Sequence, residues 1–312
     1  MVLPPQAQDW ISNFLGILVE ATPFLLLGVV LSATVHVFVS EDRLLKLVPR
    51  NPVLSLIPAM GLGMLMPVCE CGNVAVARRF LAKGVPVSTC IAFLLASPIL
   101  NPVALFATAT AFRYYPSMVW LRGGLAFLVA ASVGLLIGRS GAGERLLAAR
   151  IERSPEHVHH HHHSPVKGQT WHARLVSRLA EVSNQAGTEF LTMMQVLVIG
   201  AAVASATQVL VPRTDITGLG GGIVLSIVAM MSLAFVLSIC STVDAFFALS
   251  YSNIFATPAL LAFLVFGPMI SMKSVGMMLT AFRPRVVFAM VAVTVELVFL
   301  GALLLNLRGA LL

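Results

Sequence analysis

A short polar stretch with two thiols and a carboxylate interrupts an apolar run in the first third of the chain. It reads Pro-Val-Cys-Glu-Cys-Gly-Asn over residues 67–73. Thiolates are soft ligands that suit copper(I), zinc and trivalent arsenic or antimony. With a further thiol from the second half, the stretch predicts a three-coordinate metal or metalloid site formed by Cys69, Cys71 and Cys240. The alternative is that these cysteines are small packing residues in apolar helices.

Proline and glycine in this stretch predict a break in the helix, because proline removes a backbone donor and glycine relaxes the chain. Further breaks are predicted at Ser-Pro-Ile-Leu-Asn-Pro, residues 97–102, and at Gly-Pro-Met-Ile-Ser, residues 267–271. Half-helix ends in a membrane can point at a shared site. We therefore predict that substrate contacts a set of polar groups at the breaks: Cys69, Glu70, Cys71, Asn73, Ser97, Asn101, Cys240 and Ser271.

Charged residues inside the apolar runs are the candidates for ion coupling. A charge at the centre of a membrane helix costs about 2.5 to 3.5 kcal/mol on insertion scales, so such residues face the bundle interior and pair. We predict that Asp244, Lys273 and Glu296 couple transport to an ion. Lys273 is expected to pair with Asp244 or Glu296, and a carboxylate is expected to carry the proton in antiport. The alternative is a fixed structural ion pair.

A histidine tract lies in the polar middle of the chain. His157 precedes an unbroken run formed by His159, His160, His161, His162 and His163. Imidazole binds zinc, copper and nickel, so the tract is a candidate loop site that senses or buffers a metal. The alternative is a solvated low-complexity linker.

Composition determines which elements must hold these residues. Apolar residues make up 58% of the chain and charged residues 11%, and the mean hydropathy is +0.93. Soluble domains carry about a quarter charged residues, so the sequence predicts an all-α polytopic membrane protein. The net charge of +7 comes mostly from loops. The positive-inside bias explains this charge without nucleic acid as a partner.

Eight apolar runs are long enough to cross a bilayer, which takes about 20 residues. They cover approximately residues 10–39, 53–81, 85–112, 118–137, 186–211, 221–249, 256–279 and 286–307. The second and sixth runs are so long that each must be steeply tilted or broken. The predicted breaks fall near the middle of the runs, at mid-membrane depth.

The two halves of the chain resemble each other. The tetrapeptide Thr-Ala-Phe-Arg at residues 110–113 recurs at residues 280–283, and Cys69 aligns with Cys240 in nearly the same register. These matches predict an internal duplication into two four-helix repeats. The resulting parts are a first transmembrane repeat over 1–138, a polar His-rich linker over 139–184 and a second transmembrane repeat over 185–312. Parallel and inverted repeats both stay open.

The motifs over residues 67–73, 97–102 and 267–273 resemble those of the bacterial predicted permeases of the ArsP type. The resemblance covers all of the chain except the histidine-bearing linker, and it implies a permease of about eight spans. Members of that family are associated with efflux of trivalent organoarsenicals, and one branch with copper or zinc export. Relatives often have an aspartate where this chain has Ser271, so one carboxylate of the family's site is missing here.

Together these features predict a multi-pass permease of the inner membrane, not an enzyme, without a cofactor. The sequence contains no nucleotide-binding P-loop, so the energy would come from a proton or membrane gradient. The leading interpretation is secondary efflux of a soft metal or metalloid, in the form of a small inorganic or organic compound. One alternative is a copper or zinc exporter with a metal-buffering histidine loop, and another is a transmembrane thiol–disulfide electron conduit. The lipid bilayer is the expected partner, and a homo-oligomer stays open.

Overall fold

The computed structural model describes residues 4–38, 54–65, 70–139, 171–210, 222–241, 243–252 and 254–307, and every regular element in these ranges is an α-helix. In chain order they are α1 Pro5–Phe38, α2 Leu56–Leu65, α3 Glu70–Ala82, α4 Val87–Leu100, α5 Pro102–Ala111, α6 Ser117–Arg139, α7 Trp171–Leu210, α8 Ile223–Leu237, α9 Asp244–Leu249, α10 Thr257–Met269, α11 Met272–Ala281 and α12 Pro284–Leu307. The predicted all-α class is confirmed for this part of the chain.

Within the described residues, six helical stretches are long and apolar enough to cross a membrane. They are Gln6–Val30, Val87–Ala111, Ser117–Gly138, Arg178–Ala206, Thr257–Ala281 and Pro284–Leu307. About 20 residues suffice to cross a bilayer, and helical backbone satisfies its own hydrogen bonds there, as lipid requires. The chain is therefore a multi-pass membrane protein, and the six stretches coincide with six of the eight predicted spans.

The predicted second and sixth spans each fall on two short helices. The second is divided into α2 and α3, and the sixth into α8 and α9. With its 15 residues, α8 reaches only about 22 Å at a rise of about 1.5 Å per residue, short of the roughly 30 Å hydrocarbon core. Of the two possibilities that the sequence left for these runs, the described residues show a broken helix in the sixth run, and residues 66–69 of the second run lie outside them.

The predicted breaks at residues 97–102 and 267–271 are confirmed. Helix α4 ends at Leu100, Asn101 has an extended ψ of 130°, and Pro102 is the first residue of α5. A proline fits the first turn of a helix because the backbone donor it lacks would have no helical partner there. In the second half, α10 ends at Met269 and α11 begins at Met272.

The break predicted at residues 67–73 does not extend over residues 70–73, which are helical. Helix α2 ends at Leu65 and α3 already begins at Glu70, so Cys71 and Asn73 are helical. The expectation that Cys71 lies on unwound backbone is therefore wrong. Cys69 lies outside the described residues. The polar residues at the start of α3 are compatible with a helix because a carboxylate in the first turn favours it.

Two helices form the centre of the fold. Every residue of α4 from Val87 to Ile99 is buried, and so is every residue of α10 from Pro258 to Met269. Helix α4 packs against α2 and α6, α10 packs against α8 and α12, and the two central helices contact each other. Helices that are apolar on all sides belong in the interior of a bundle.

Helix α1 pairs with α7 and approaches α3 closely. The Trp10 indole donates a hydrogen bond to the Ala202 carbonyl (3.2 Å), and the Ser205 hydroxyl donates one to the Trp10 carbonyl (2.6 Å). At Gly28 a side-chain carbon would collide with the backbone of Gly72 in α3. Glycine at this contact lets α1 support the first turn of α3.

The polar middle of the chain is partly helical. Because α7 begins at Trp171, the last part of the predicted linker over 139–184 extends a long helix. The histidine tract, His159 to His163, lies outside the described residues. The division of the chain into two repeats and a linker stays a prediction.

Candidate functional site

A buried ion pair joins the first turns of α3 and α11. The Lys273 ammonium is 3.0 Å from Oε1 of Glu70, and the two side chains are 5% and 4% exposed. Glu70 is the first residue of α3, where the helix dipole favours a negative charge. Lys273 is in the first turn of α11, where the dipole disfavours a positive charge. The Glu70 carboxylate therefore compensates the charge of the lysine.

A second buried ion pair joins α6 to α9. Arg122 donates from Nη2 to Oδ2 of Asp244 (2.7 Å) and from Nη1 to Oδ1 (3.1 Å). The Arg122 side chain is completely buried and Asp244 is 2% exposed. Nη1 also donates to the Thr108 hydroxyl (2.6 Å), and Nη2 to the Ser241 carbonyl at 3.5 Å. A two-pronged guanidinium–carboxylate contact adds geometric specificity to the charge attraction.

The two ion pairs form one charged centre, which we define as Glu70, Lys273, Arg122 and Asp244. The carboxylates of Glu70 and Asp244 also interact electrostatically with each other. Each pair takes one partner from the N-terminal half and one from the C-terminal half, and three of the four residues stand in the first turn of a short helix. The centre therefore lies where the broken helices of the two halves meet.

The break between α8 and α9 is tied to the start of α11. Helix α8 ends at Leu237, and Ser238 adopts a left-handed conformation with φ of 50°. This conformation is uncommon for a residue other than glycine, and it ends the helix. The Met272 amide donates a hydrogen bond to the Ser238 hydroxyl (3.2 Å). This contact connects the segment before Asp244 to the turn that carries Lys273.

Ser271 and Asn101, both predicted to contact substrate, cap helices. The Ser274 amide donates to the Ser271 hydroxyl (3.2 Å), and the Ser271 amide donates to the Ser274 hydroxyl (2.8 Å). The Val103 amide donates to Oδ1 of Asn101 (2.9 Å). These contacts satisfy backbone donors that helix starts leave unpaired. Both residues therefore position the short helices, and their predicted role as substrate contacts stays a prediction.

Asn73 and Ser97 meet beside the charged centre. Asn73 is one turn after Glu70 in α3, and both Asn73 and Ser97 are completely buried. The Ser97 hydroxyl lies within donating distance of Oδ1 of Asn73 (3.2 Å) and of the Gly63 carbonyl (3.3 Å). Within the described ranges, Nδ2 of Asn73 has no hydrogen-bond partner. A buried amide donor of this kind is suited to a polar ligand.

The predicted pairing of Lys273 with Asp244 or Glu296 is wrong. Lys273 pairs with Glu70, and Asp244 pairs with Arg122. Glu296 is exposed on the surface of α12 and lines an apolar groove. The structure therefore brings Asp244 and Lys273 into one centre and leaves Glu296 outside it. Spacing along the sequence could not show this, because the partners come from helices that are distant in the chain.

The thiols are only partly located. Cys240 is buried in the segment between α8 and α9. The backbone of Cys71 is in the first turn of α3, its side chain is not among the described ones, and Cys69 lies outside the described residues. In the ranges that the structure describes, no group of three or more histidine, cysteine, aspartate or glutamate residues could hold a metal ion. The thiolate site of Cys69, Cys71 and Cys240 stays a prediction.

Arg122 is the functional candidate that sequence reasoning missed. It stands four residues after Met118, inside the fourth apolar run. As for Lys273, a charge inside an apolar run is expected to face the bundle interior and to pair. This expectation was not applied to the fourth run. Thr108 and Ser241 were missed for another reason, since hydroxyls and carbonyls inside apolar runs are too common to single out.

Comparisons with known proteins place the chain among permeases. A family model described as "Predicted permease" matches residues 6–307. The chain is 41% identical to the UPF0718 protein YcgR of Bacillus subtilis (strain 168), over 95% of this chain and 96% of that protein. It is 34% identical to the "Putative two-component membrane permease complex subunit" of Streptococcus mutans serotype c, over 97% of each chain. No solved structure matches the chain.

Proposed function

The chain belongs to this family of predicted permeases, and on that premise we propose that it is a secondary permease that exports a soft metal or metalloid. The substrate would be a small inorganic or organic compound, of the class of trivalent arsenicals. It would cross the inner membrane through the charged centre and the polar groups beside it.

The charged centre is the observation that carries this proposal. Four ionisable side chains are buried among apolar helices, close to the ends of broken ones. Apolar residues of similar size would stabilise a fold as well or better than such pairs, so stability alone does not account for them. Charges inside a membrane bundle mark ion and substrate pathways, and broken helices around a central site are typical of secondary transporters.

The neighbouring thiols support a soft substrate. Cys240 is buried directly before Ser241, whose carbonyl faces the charged centre. Cys69 and Cys71 flank Glu70 in the sequence. A site that combined Cys240 with these two thiols would suit a trivalent arsenical or antimonial, or a soft metal cation. Such a ligand set needs deprotonated sulfur, so binding would release protons.

Proton coupling would act through the two ion pairs. Protonation of Asp244 removes the charge that compensates Arg122, and protonation of Glu70 does the same for Lys273. Because each pair holds the two halves together, its loss would weaken their contact at the site. The proposal keeps the predicted coupling role of Asp244 and Lys273 and adds Glu70 and Arg122.

An internal duplication would explain why both halves contribute. In each half, a long helix is followed by two pairs of short helices and then by another long helix. This order, α1 to α6 and α7 to α12, supports the hypothesis of two repeats. The repeats are not equivalent, because the carboxylate of Glu70 is opposite a lysine and that of Asp244 opposite an arginine.

We also propose that the chain works with a second, different membrane subunit. The Streptococcus mutans relative is named as a subunit of a two-component complex, and it aligns with this chain over nearly the whole length of both. The alternative is a homo-oligomer. Tests of transport should therefore be made in the protein's own host, where any natural partner is present.

The test is metal and metalloid resistance in that host, with the gene deleted and then restored. Cells are exposed to arsenite, methylarsenite, antimonite, copper, zinc and silver, and their intracellular content is measured by mass spectrometry. Protection that the folded double variant Arg122→Met with Asp244→Leu loses and that Tyr114→Phe retains supports the proposal. Tyr114 is a suitable control because it is 90% exposed.

The outcomes separate the competing functions. Protection against none of the compounds refutes efflux of this class. Protection against copper or zinc alone favours the metal exporter with a histidine loop. A mixed disulfide between Cys240 and a soluble thioredoxin-like protein, trapped without any change in resistance, favours the electron conduit.

A further inference from the structure

An open apolar groove on the surface of the bundle contains a single carboxylate. The groove has a volume of about 540 Å³ and lies between α8 and α12, with the buried Phe266 of α10 at its base. Its walls are valine, phenylalanine and methionine side chains, and its polar groups are Ser232 and Glu296. Both polar residues are exposed. The groove is separate from the charged centre, whose four side chains are not among its lining residues.

Glu296 stands in the middle of a membrane-length helix. It lies near the centre of α12, between Pro284 and Leu307, about 17 Å from either end at a rise of about 1.5 Å per residue. Such a position places the carboxylate near the midplane of the bilayer. Among the described residues, Glu296 makes no hydrogen bond or ion pair, so lipid would surround an uncompensated polar group. Charged side chains at this depth normally pair.

The two cations of the charged centre are already paired. Arg122 contacts Asp244 and Lys273 contacts Glu70, so neither of them is available to the groove of a second copy of the chain. A partner of a different sequence is therefore better suited to cover Glu296 than a homodimer.

We propose that this groove, formed by α8, α10 and α12, is the docking site for a transmembrane helix of the second subunit. That helix carries a lysine or arginine at mid-membrane depth, which pairs with Glu296, and apolar side chains that fill the groove. The inference rests on the two-subunit permease proposed above. Packing of apolar side chains together with a polar contact is how helices associate in lipid, where the hydrophobic effect does not drive them together.

Photocrosslinking in the native membrane tests the proposal. Val295 and Ser232, which line the groove, are replaced one at a time by p-benzoyl-phenylalanine in the full chain in its own host. The matched control position is Leu128, which is 63% exposed in the middle of α6 and does not line the groove. Adducts are identified by mass spectrometry after irradiation.

The expected adduct at Val295 and Ser232 is a different membrane protein that has a lysine or arginine in the centre of a span. Replacing Glu296 with glutamine should lower its yield roughly 3- to 20-fold, the range expected for one interhelical polar contact. Glu296→Lys should abolish the adduct. When the basic residue of the partner is also changed to glutamate, the adduct should form again. Restoration also shows that the Glu296→Lys chain is folded.

Several outcomes overturn the proposal. Adducts with lipid only, or with a second copy of the chain, exclude a helix of another subunit in the groove. Equal yield at Leu128 shows that the contact is not specific, and a yield unchanged by Glu296→Gln excludes the charge pairing. None of these readouts depends on the transported substrate. A negative crosslinking result therefore does not refute the efflux proposal, which the resistance test decides. A negative resistance result likewise does not change the conclusion from crosslinking.

Discussion

Removing one partner of the Arg122–Asp244 pair should destabilise the protein far more than removing both. Asp244→Asn leaves a completely buried guanidinium without its counter-charge, and Arg122→Met leaves a buried carboxylate. Loss of one partner of a buried pair costs about 3 to 5 kcal/mol, mainly because the remaining charge is uncompensated. We expect each single substitution to lower the free energy of unfolding by this amount.

The double substitution Arg122→Met with Asp244→Leu removes both charges at once. Replacement of a buried pair by apolar residues of similar volume is neutral or stabilising by about 1 to 4 kcal/mol. Thr108 keeps a partner in this variant, because its hydroxyl also donates to the Ala104 carbonyl at 2.8 Å. The double-mutant cycle should therefore give a coupling energy of at least about 6 kcal/mol, the sum of the two single costs.

Unfolding of the purified protein in mixed detergent–SDS micelles, followed by circular dichroism, measures these differences. The control is Arg113→Met, since Arg113 is exposed and its loss should change the unfolding free energy by less than about 0.5 kcal/mol. Costs of the single substitutions that are below about 1 kcal/mol, or that simply add in the double variant, would refute the reasoning. The folded double variant should still fail to confer resistance. If it confers full resistance, the ion pair has a structural role only and takes no part in transport.

Three further predictions concern the frame of the site and its thiols. Gly28→Ala should lower the unfolding free energy by about 1 to 3 kcal/mol through overpacking. Gly61 has open space around it, so Gly61→Ala should not lower it. Equal effects of the two substitutions would contradict the close approach of α1 to α3. Asn101→Ala should cost about 0.5 to 2 kcal/mol in the same unfolding assay, because the helix cap is lost, and Asn101→Ser should recover most of it. Cys240→Ser should reduce resistance to the exported metalloid while Cys90→Ala keeps it, and the reverse pattern would exclude Cys240 as a ligand.

Hydropathy and helix breaks could be predicted because they are local properties. An apolar run of sufficient length forms a membrane helix wherever it stands, and a proline removes a backbone donor in any context. The breaks at residues 97–102 and 267–271 therefore came out as expected. The break at residues 67–73 was predicted to include residues 70–73, which are helical, because Glu70 favours the first turn of a helix and the glycine at 72 does not prevent one.

The partners of the charged residues could not be predicted. Glu70 and Lys273 are neighbours in space but come from opposite halves of the chain. Hydropathy indicated that such charges must pair, yet it carried no information on distance between helices. For the same reason Glu296 was grouped with the interior charges, although the packing of α12 turns it to the surface.

By itself, the sequence determined the membrane class, the long helices and the places where they break, since each follows from the energetics of a backbone or side chain in lipid. It also determined that thiols, carboxylates and a lysine stand near those breaks. Only the tertiary structure decided that Glu70 pairs with Lys273 and Asp244 with Arg122. The physical reason is that an ion pair depends on the distance between two charges, and that distance is set by how α3, α6, α9 and α11 pack around the two central helices.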